Sequence, residues 1–219
     1  MTVQLDDIVE SVFLAVKSLH PEDRVILEQA VADGNTLVEG LSYLLRSECA
    51  EIQGILELVI DEVFVDLHIA VTLAMAKQFK AACVLLRTCV ETGLYLVYFV
   101  DHPVEARIWS NNSQGLSFRP ILAQVASSKY LLAASGREPD DDKVKAIFRT
   151  LDDAYRALSE RVHGKYAFLQ STDTEPERSP KIFASLASNS IRALTSLTVL
   201  RSSNMAAIEA EVPAIRGIV

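Results

Sequence analysis

Residues 79–100, FKAACVLLRTCVETGLYLVYFV, constrain the fold of this chain more than any other stretch. The segment is apolar almost all round, yet it carries Arg87 and Glu91 four positions apart on one helical face. A helix hydrophobic on every side has to be wrapped by the rest of the chain. Opposite charges inside such a wrapping need each other or a functional partner. The segment therefore predicts a bundle of helices around a central apolar one.

The rest of the chain supports an all-α class. Among 219 residues there are only 8 Gly and 7 Pro, few for a protein made of many strands and tight turns. Half the residues are hydrophobic and mean hydropathy is +0.22, enough for a large core and too much for global disorder. A net charge of -8 and a pI near 5.0 argue against a general nucleic-acid coat, which spreads Lys and Arg over a face. A compact site for one phosphate is compatible with that balance, because local potential need not follow net charge.

Cys49, Cys83 and Cys89 form no CxxC pair, and the last two sit inside the central helix as small hydrophobes. An odd, helix-embedded set fits a reducing compartment. The opening MTVQLDDIVE has acids where an export signal needs a basic start. Residues 55–76 and 79–100 are both interrupted by charges, so neither is expected to span a membrane. The expectation is a cytoplasmic protein with no cofactor.

Apolar spacing divides the chain into about six to eight helices in one domain. Residues 1–50 are an N-terminal helical extension, 51–210 the bundle core and 211–219 a tail expected to fray. Leu5, Ile8, Val9, Val12, Phe13 and Val16 mark a first amphipathic helix. Pro21, Glu22 and Asp23 start a second, with Asp33, Gly34 and Asn35 as an expected break or kink. A helix from residue 51 turns near Lys77 and Gln78, and the central helix folds back antiparallel upon it. Pro103 ends that helix, and a short piece bearing Trp109 follows. Residues 121–134 read as one helix stopped by Ser135 and Gly136. Asp140, Asp141 and Asp142 cap the next, which runs to His163 and Gly164. Residues 169–180 read as a loop, and 181–210 as one last helix.

Two constellations carry chemistry. Arg87 and Glu91 read either as an ion pair fixing register or as part of a pocket. The second is YRALSERVHG, residues 155–164. Seven positions make two helical turns, so Arg156 and His163 share a face, with Ser159 and Glu160 between them. Metal-free phosphodiester cleavage uses such a pair: the His moves a proton at neutral pH and the Arg holds the phosphate. The alternative is a His163 that caps its own helix and an Arg156 that is exposed or paired with Asp152 or Asp153. Glu160 and His163 also match Glu-x-x-His of di-iron bundles. That site needs a second such motif, and none of His20, His68 and His102 follows a Glu by three. No metal is expected.

The run AACVLLRTCVET (residues 81–92), the Asp101-x-Pro103 turn and the Trp109 helix resemble a widespread group of uncharacterised bacterial helical proteins. In that group an LLR…E helix precedes a YxxLS…HG helix, matched here by Tyr155, Leu158, Ser159, His163 and Gly164. The group is similar to the HEPN superfamily, and the resemblance covers residues 51–204. It implies a homodimer in which two Arg–His helices meet over a cleft and cut RNA without metal, within a toxin–antitoxin or antiphage module. Arg156 and His163 would be the catalytic pair, with Arg87, Glu91, Tyr155 and Ser159 in support. RNA and a cognate antitoxin or other protein would be partners. Ala157 stands where active members usually carry Asn, Asp or His. A non-catalytic homodimeric sensor or partner-binding module is the alternative.

Overall fold

The computed structural model describes residues 14, 16–49, 52–111, 115–162 and 180–218. Among them there are nine α-helices and no strands, so the all-α class holds. The expected first helix, from Leu5 to Val16, lies almost wholly outside the described residues.

Helix α1, Pro21–Glu48, opens with Pro in its first turn, and the His20 ring nitrogen Nδ1 accepts the Glu22 N–H. It runs unbroken through Asp33, Gly34 and Asn35, where composition predicted a break. The turn-forming groups there are used inside the helix. Gln29 Nε2 donates to Asp33 at 3.0 Å, and the Thr36 hydroxyl donates to the Ala32 carbonyl at 3.0 Å. Gly34 gives room for the neighbouring helix.

Helices α2, Gln53–Met75, and α3, Phe79–Phe99, are joined by a three-residue turn at the expected place and lie along one another. Lys77 adopts φ 59°, the left-handed conformation usually given to Gly. The Gln78 N–H returns to the Leu73 carbonyl at 2.8 Å and the Lys77 N–H to Ala74 at 3.0 Å. Two backbone bonds of this pattern satisfy the last carbonyls of α2 and close the turn without Gly. Leu86, Val90, Leu94, Leu96, Val97 and Phe99 of α3 are fully enclosed.

Helix α4, Pro103–Ser110, folds Trp109 back onto Phe99 and Tyr95. The single helix expected over 121–134 is in fact two, α5, Phe118–Val125, and α6, Ser128–Ser135. Ser127 divides them: its side chain accepts the Tyr130 N–H and donates to the Gln124 carbonyl, capping one helix and closing the other. Gly136, at φ 70°, stops α6 as expected. Asp140 accepts the Asp142 and Lys143 N–H groups and starts α7, Asp141–Val162.

The last expected helix is likewise divided, into α8, Pro180–Arg201, and α9, Met205–Glu211. Glu48 accepts from the Ser203 N–H at 2.8 Å and from the Ser202 and Ser203 hydroxyls, drawing the backbone out of the helix. Asn204 then caps α9. The tail does not fray through residue 218. A 3₁₀ turn, Pro213–Gly217, buries Val212 and Ile215 against Val199 and Ile208, and the Ser196 hydroxyl holds the Ile218 carbonyl at 3.2 Å.

One hydrophobic core runs from Leu19 to Leu197 through α1, α2, α3, α5, α7 and α8. Helix α3 meets α2, α5, α7 and α8, and α1 packs along α8 and α2. The α3 segment Phe79–Phe99 is long and apolar enough to cross a membrane despite Arg87 and Glu91, and 61% of its apolar window is buried in this bundle. All three cysteines are buried and free.

Candidate functional site

Arg87 and Glu91 sit where α3 passes α7, and Tyr155 of α7 closes a triangle with them. Arg87 Nη2 lies 3.3 Å from Glu91 Oε1 and donates to the Tyr155 oxygen at 2.8 Å. Tyr155 in turn donates to the same Glu91 oxygen at 2.7 Å. Arginine preceding glutamate is the weaker order for an intrahelical pair, and the tyrosine supplies the missing geometry. Its ring lies under the Arg87 guanidinium at 4.9 Å and stacks on Phe118 at 4.1 Å and 9°.

The pair is not sealed in the core. Each side chain is 24% exposed, so of the two readings, a register-fixing ion pair or part of a pocket, the pair makes its mutual contact and also stands in a cleft wall. Burial works against the Arg87 charge, but Glu91 and Tyr155 outweigh it and hold the guanidinium more firmly protonated. Burial raises the Tyr155 phenol, and its bond to Glu91 raises it further.

The cleft has a volume of about 550 Å³. Its α7 wall presents Tyr155, Arg156, Ser159 and Glu160, its α3 wall Arg87 and Glu91, and its third wall residues 116–120. Tyr95 fixes that third wall: burial pushes its phenol up to about 12, and the hydroxyl donates to the Leu116 carbonyl at 3.2 Å. Helix α5 begins here with no side-chain cap. Two buried polar atoms in the walls, Arg87 Nε and Ser159 Oγ, have no hydrogen-bond partner among the described residues. Buried groups left unpaired are rare in native proteins.

Five of the six residues singled out from the sequence thus line one cleft: Arg87, Glu91, Tyr155, Arg156 and Ser159. The sixth, His163, lies outside the described residues, as does Gly164, and α7 is described to Val162. Arg156 makes the pair with Asp152 that the structural alternative anticipated, at 2.7 Å. Arg119 meets the other oxygen of the same carboxylate at 2.9 Å. Sequence reasoning passed over Arg119, which stands alone in SFRP with nothing periodic to flag it. Among the described residues, no group of three His, Cys, Asp or Glu side chains is placed to share a metal.

A second charged cluster also escaped the sequence reading. Arg201, 4% exposed, binds Asp101 with Nε and Nη2 and Glu48 with Nη1, while Tyr130 donates to Asp101. Burial pushes the Asp101 carboxyl up, but the Arg201 and Tyr130 hydrogen bonds pull it further down, to a net value below the ordinary carboxylate range. This cluster ties the ends of α1, α3 and α8 together and lines no part of the cleft.

Comparison with known proteins finds no match among family models, curated proteins or solved structures.

Proposed function

We propose that this protein is a HEPN-like ribonuclease that cuts RNA without a metal at the cleft between α3, α5 and α7, within a toxin or antiphage module. Arg156 holds the scissile phosphate and His163 moves the proton. The observation that supports the reading is the convergence of Arg87, Arg119, Arg156, Tyr155 and Ser159 on one cleft. Its α7 wall runs in sequence directly to His163. Cationic donors fixed before a reaction begins stabilise a phosphate's developing charge at little reorganisation cost. The same reading has two copies of the chain pairing over their α7 ends, with RNA as substrate and a cognate protein as inhibitor.

A second reading is favoured by one feature. Arg156 is engaged by Asp152, and Arg87, Glu91 and Tyr155 close on one another. Such a site suits a non-catalytic homodimeric sensor or partner-binding module. Single-stranded RNA incubated with purified protein in excess chelator separates the two. Cleavage that disappears in His163→Ala supports the nuclease. RNA left intact, or cut equally well by that variant, removes it and leaves the sensor.

A further inference from the structure

The outer wall of the cleft holds two arginines on one anion. Asp152 Oδ1 receives Arg119 Nε at 2.9 Å, and Asp152 Oδ2 receives Arg156 Nη2 at 2.7 Å. The carboxylate is 17% exposed, whereas the arginines are 59% and 55% exposed. Two cations on one anion leave the trio with a net charge of +1. Each guanidinium carries five N–H donors and, among the described residues, spends one on Asp152, which leaves its other donors for a ligand. Exposed ion pairs of this kind add little stability, on the order of 0–1 kcal/mol each. Structural glue is therefore a poor account of an arrangement that draws Arg119 from α5 and Arg156 from α7 to one point. Arg87, by contrast, is 24% exposed and turns its Nη2 to Glu91 and Tyr155.

We propose that Arg119 and Arg156, held side by side by Asp152, grip one phosphate of single-stranded RNA, which makes Arg119 a second phosphate-binding residue of this cleft. Asp152 acts by positioning: it sets the two planar forks a carboxylate's width apart, and it is small and recessed enough to leave their outer edges to the ligand. Bidentate guanidinium–phosphate geometry is what arginine offers and lysine does not. The overall charge of -8 makes a local cationic grip the more necessary. The proposal rests on the RNA reading of the cleft but not on cleavage.

The test is a fluorescence-anisotropy titration of a labelled single-stranded RNA over a series of KCl concentrations. It uses a His163→Ala background so that the RNA stays whole. The expected result is that Arg119→Ala weakens binding about tenfold or more and lowers the salt slope by about 0.7, the value for one phosphate contact on a single strand. Arg119→Lys restores the slope and only part of the affinity. Combining Arg119→Ala with Arg156→Ala weakens binding by less than the product of the two, because they share one phosphate. Unchanged affinity and slope in Arg119→Ala, at an unchanged melting temperature, overturn the proposal, and so does a background protein that binds no RNA. Binding of the expected kind with no cleavage by the parent removes the nuclease alone. Cleavage with the same KM and salt dependence in Arg119→Ala removes the clamp alone.

Discussion

Gly34 of α1 and Leu67 of α2 approach so closely that a β-carbon on residue 34 would stand 1.9 Å from the Leu67 Cδ2. The missing side chain is what lets the two helices meet. Alanine in place of glycine gains about 1 kcal/mol of intrinsic helix propensity. Here Leu67 is 1% exposed, and overpacking of about 1–3 kcal/mol is expected to outweigh that gain. Gly34→Ala is expected to lower the urea midpoint, and adding Leu67→Ala is expected to cost less than it does in the parent. A Gly34→Ala protein as stable as the parent would show that the contact relaxes freely.

The same glycine shows what the sequence conceals. Asp33, Gly34 and Asn35 have turn composition, but one Asp33 oxygen is engaged within the helix by Gln29 and Gly34 lies against Leu67, so tertiary contact decides. Lys77 is the converse case, a left-handed turn with no Gly to announce it, located only because the apolar runs on either side end there. Periodicity exposes which faces are buried, and so it located the long helices, while the face it assigned to Arg156 and His163 is described only as far as Val162. It is blind to partners far away in sequence. Arg119, Arg201 and Glu48 acquire their roles from residues on other helices, and no local pattern marks them. The breaks at Ser127 and at 202–204 have the same origin, single polar groups that compete for backbone donors and carbonyls.

Tyr155 is the joint of the cleft, since its hydroxyl both receives from Arg87 and donates to Glu91. Tyr155→Phe keeps the stack on Phe118 and removes both bonds. It should cost about 1.5–3 kcal/mol, the range for hydrogen bonds to charged groups. The loss should largely vanish when Glu91→Gln and Arg87→Met are already present. The parent phenol, raised by burial and by Glu91, should ionise above the ordinary tyrosine value in an ultraviolet pH titration. Ionisation at or below that value would mean the Glu91 bond is not formed.

The cysteines are expected to be chemically silent. Burial pushes the Cys83 thiol up to about 11 and Cys89 up to about 12, and Cys49 is 7% exposed. Thiolate is the reactive form. Native protein at pH 8 should therefore release almost no colour with a thiol reagent, and three equivalents per chain on unfolding in guanidinium. Rapid reaction of two or more equivalents in the native state would contradict the packing around α3, since only Cys49 lies outside that helix.

Ile215 tests whether the last turn belongs to the fold. It is fully buried beside Val199 and Ile208, and it lies where a β-carbon on Gly40 of α1 would stand 3.3 Å from its Cδ1. Ile215→Ala should cost about 2–5 kcal/mol, as removal of a buried isoleucine does. A change below about 0.5 kcal/mol, the range typical of surface substitutions, would show that the tail contributes nothing.

Asp101 and Arg201 should set the acid limit of the protein. Burial alone would raise the Asp101 carboxyl, and the Arg201 and Tyr130 hydrogen bonds reverse that and leave it depressed. A carboxyl depressed in the folded state binds a proton less readily there than in the unfolded chain. Its contribution is complete above the unfolded value of about 3.9 and is lost as pH falls through the lower folded value. Asp101→Asn should therefore cost about 1.5–3 kcal/mol at pH 7 and the same at pH 5. The gap from the parent should then narrow as pH falls below about 4, where the unfolded chain takes up the proton before the folded one does. Arg201→Ala leaves Glu48 and Asp101 facing each other without their cation and should cost more, about 3–5 kcal/mol. Urea unfolding of the parent and the two variants at pH 7, 5, 4, 3 and 2 measures all of this. A difference between parent and Asp101→Asn that stays constant down to pH 2 would mean that the Arg201 bond does not depress the carboxyl, and the closure of α1, α3 and α8 at this end would need another source.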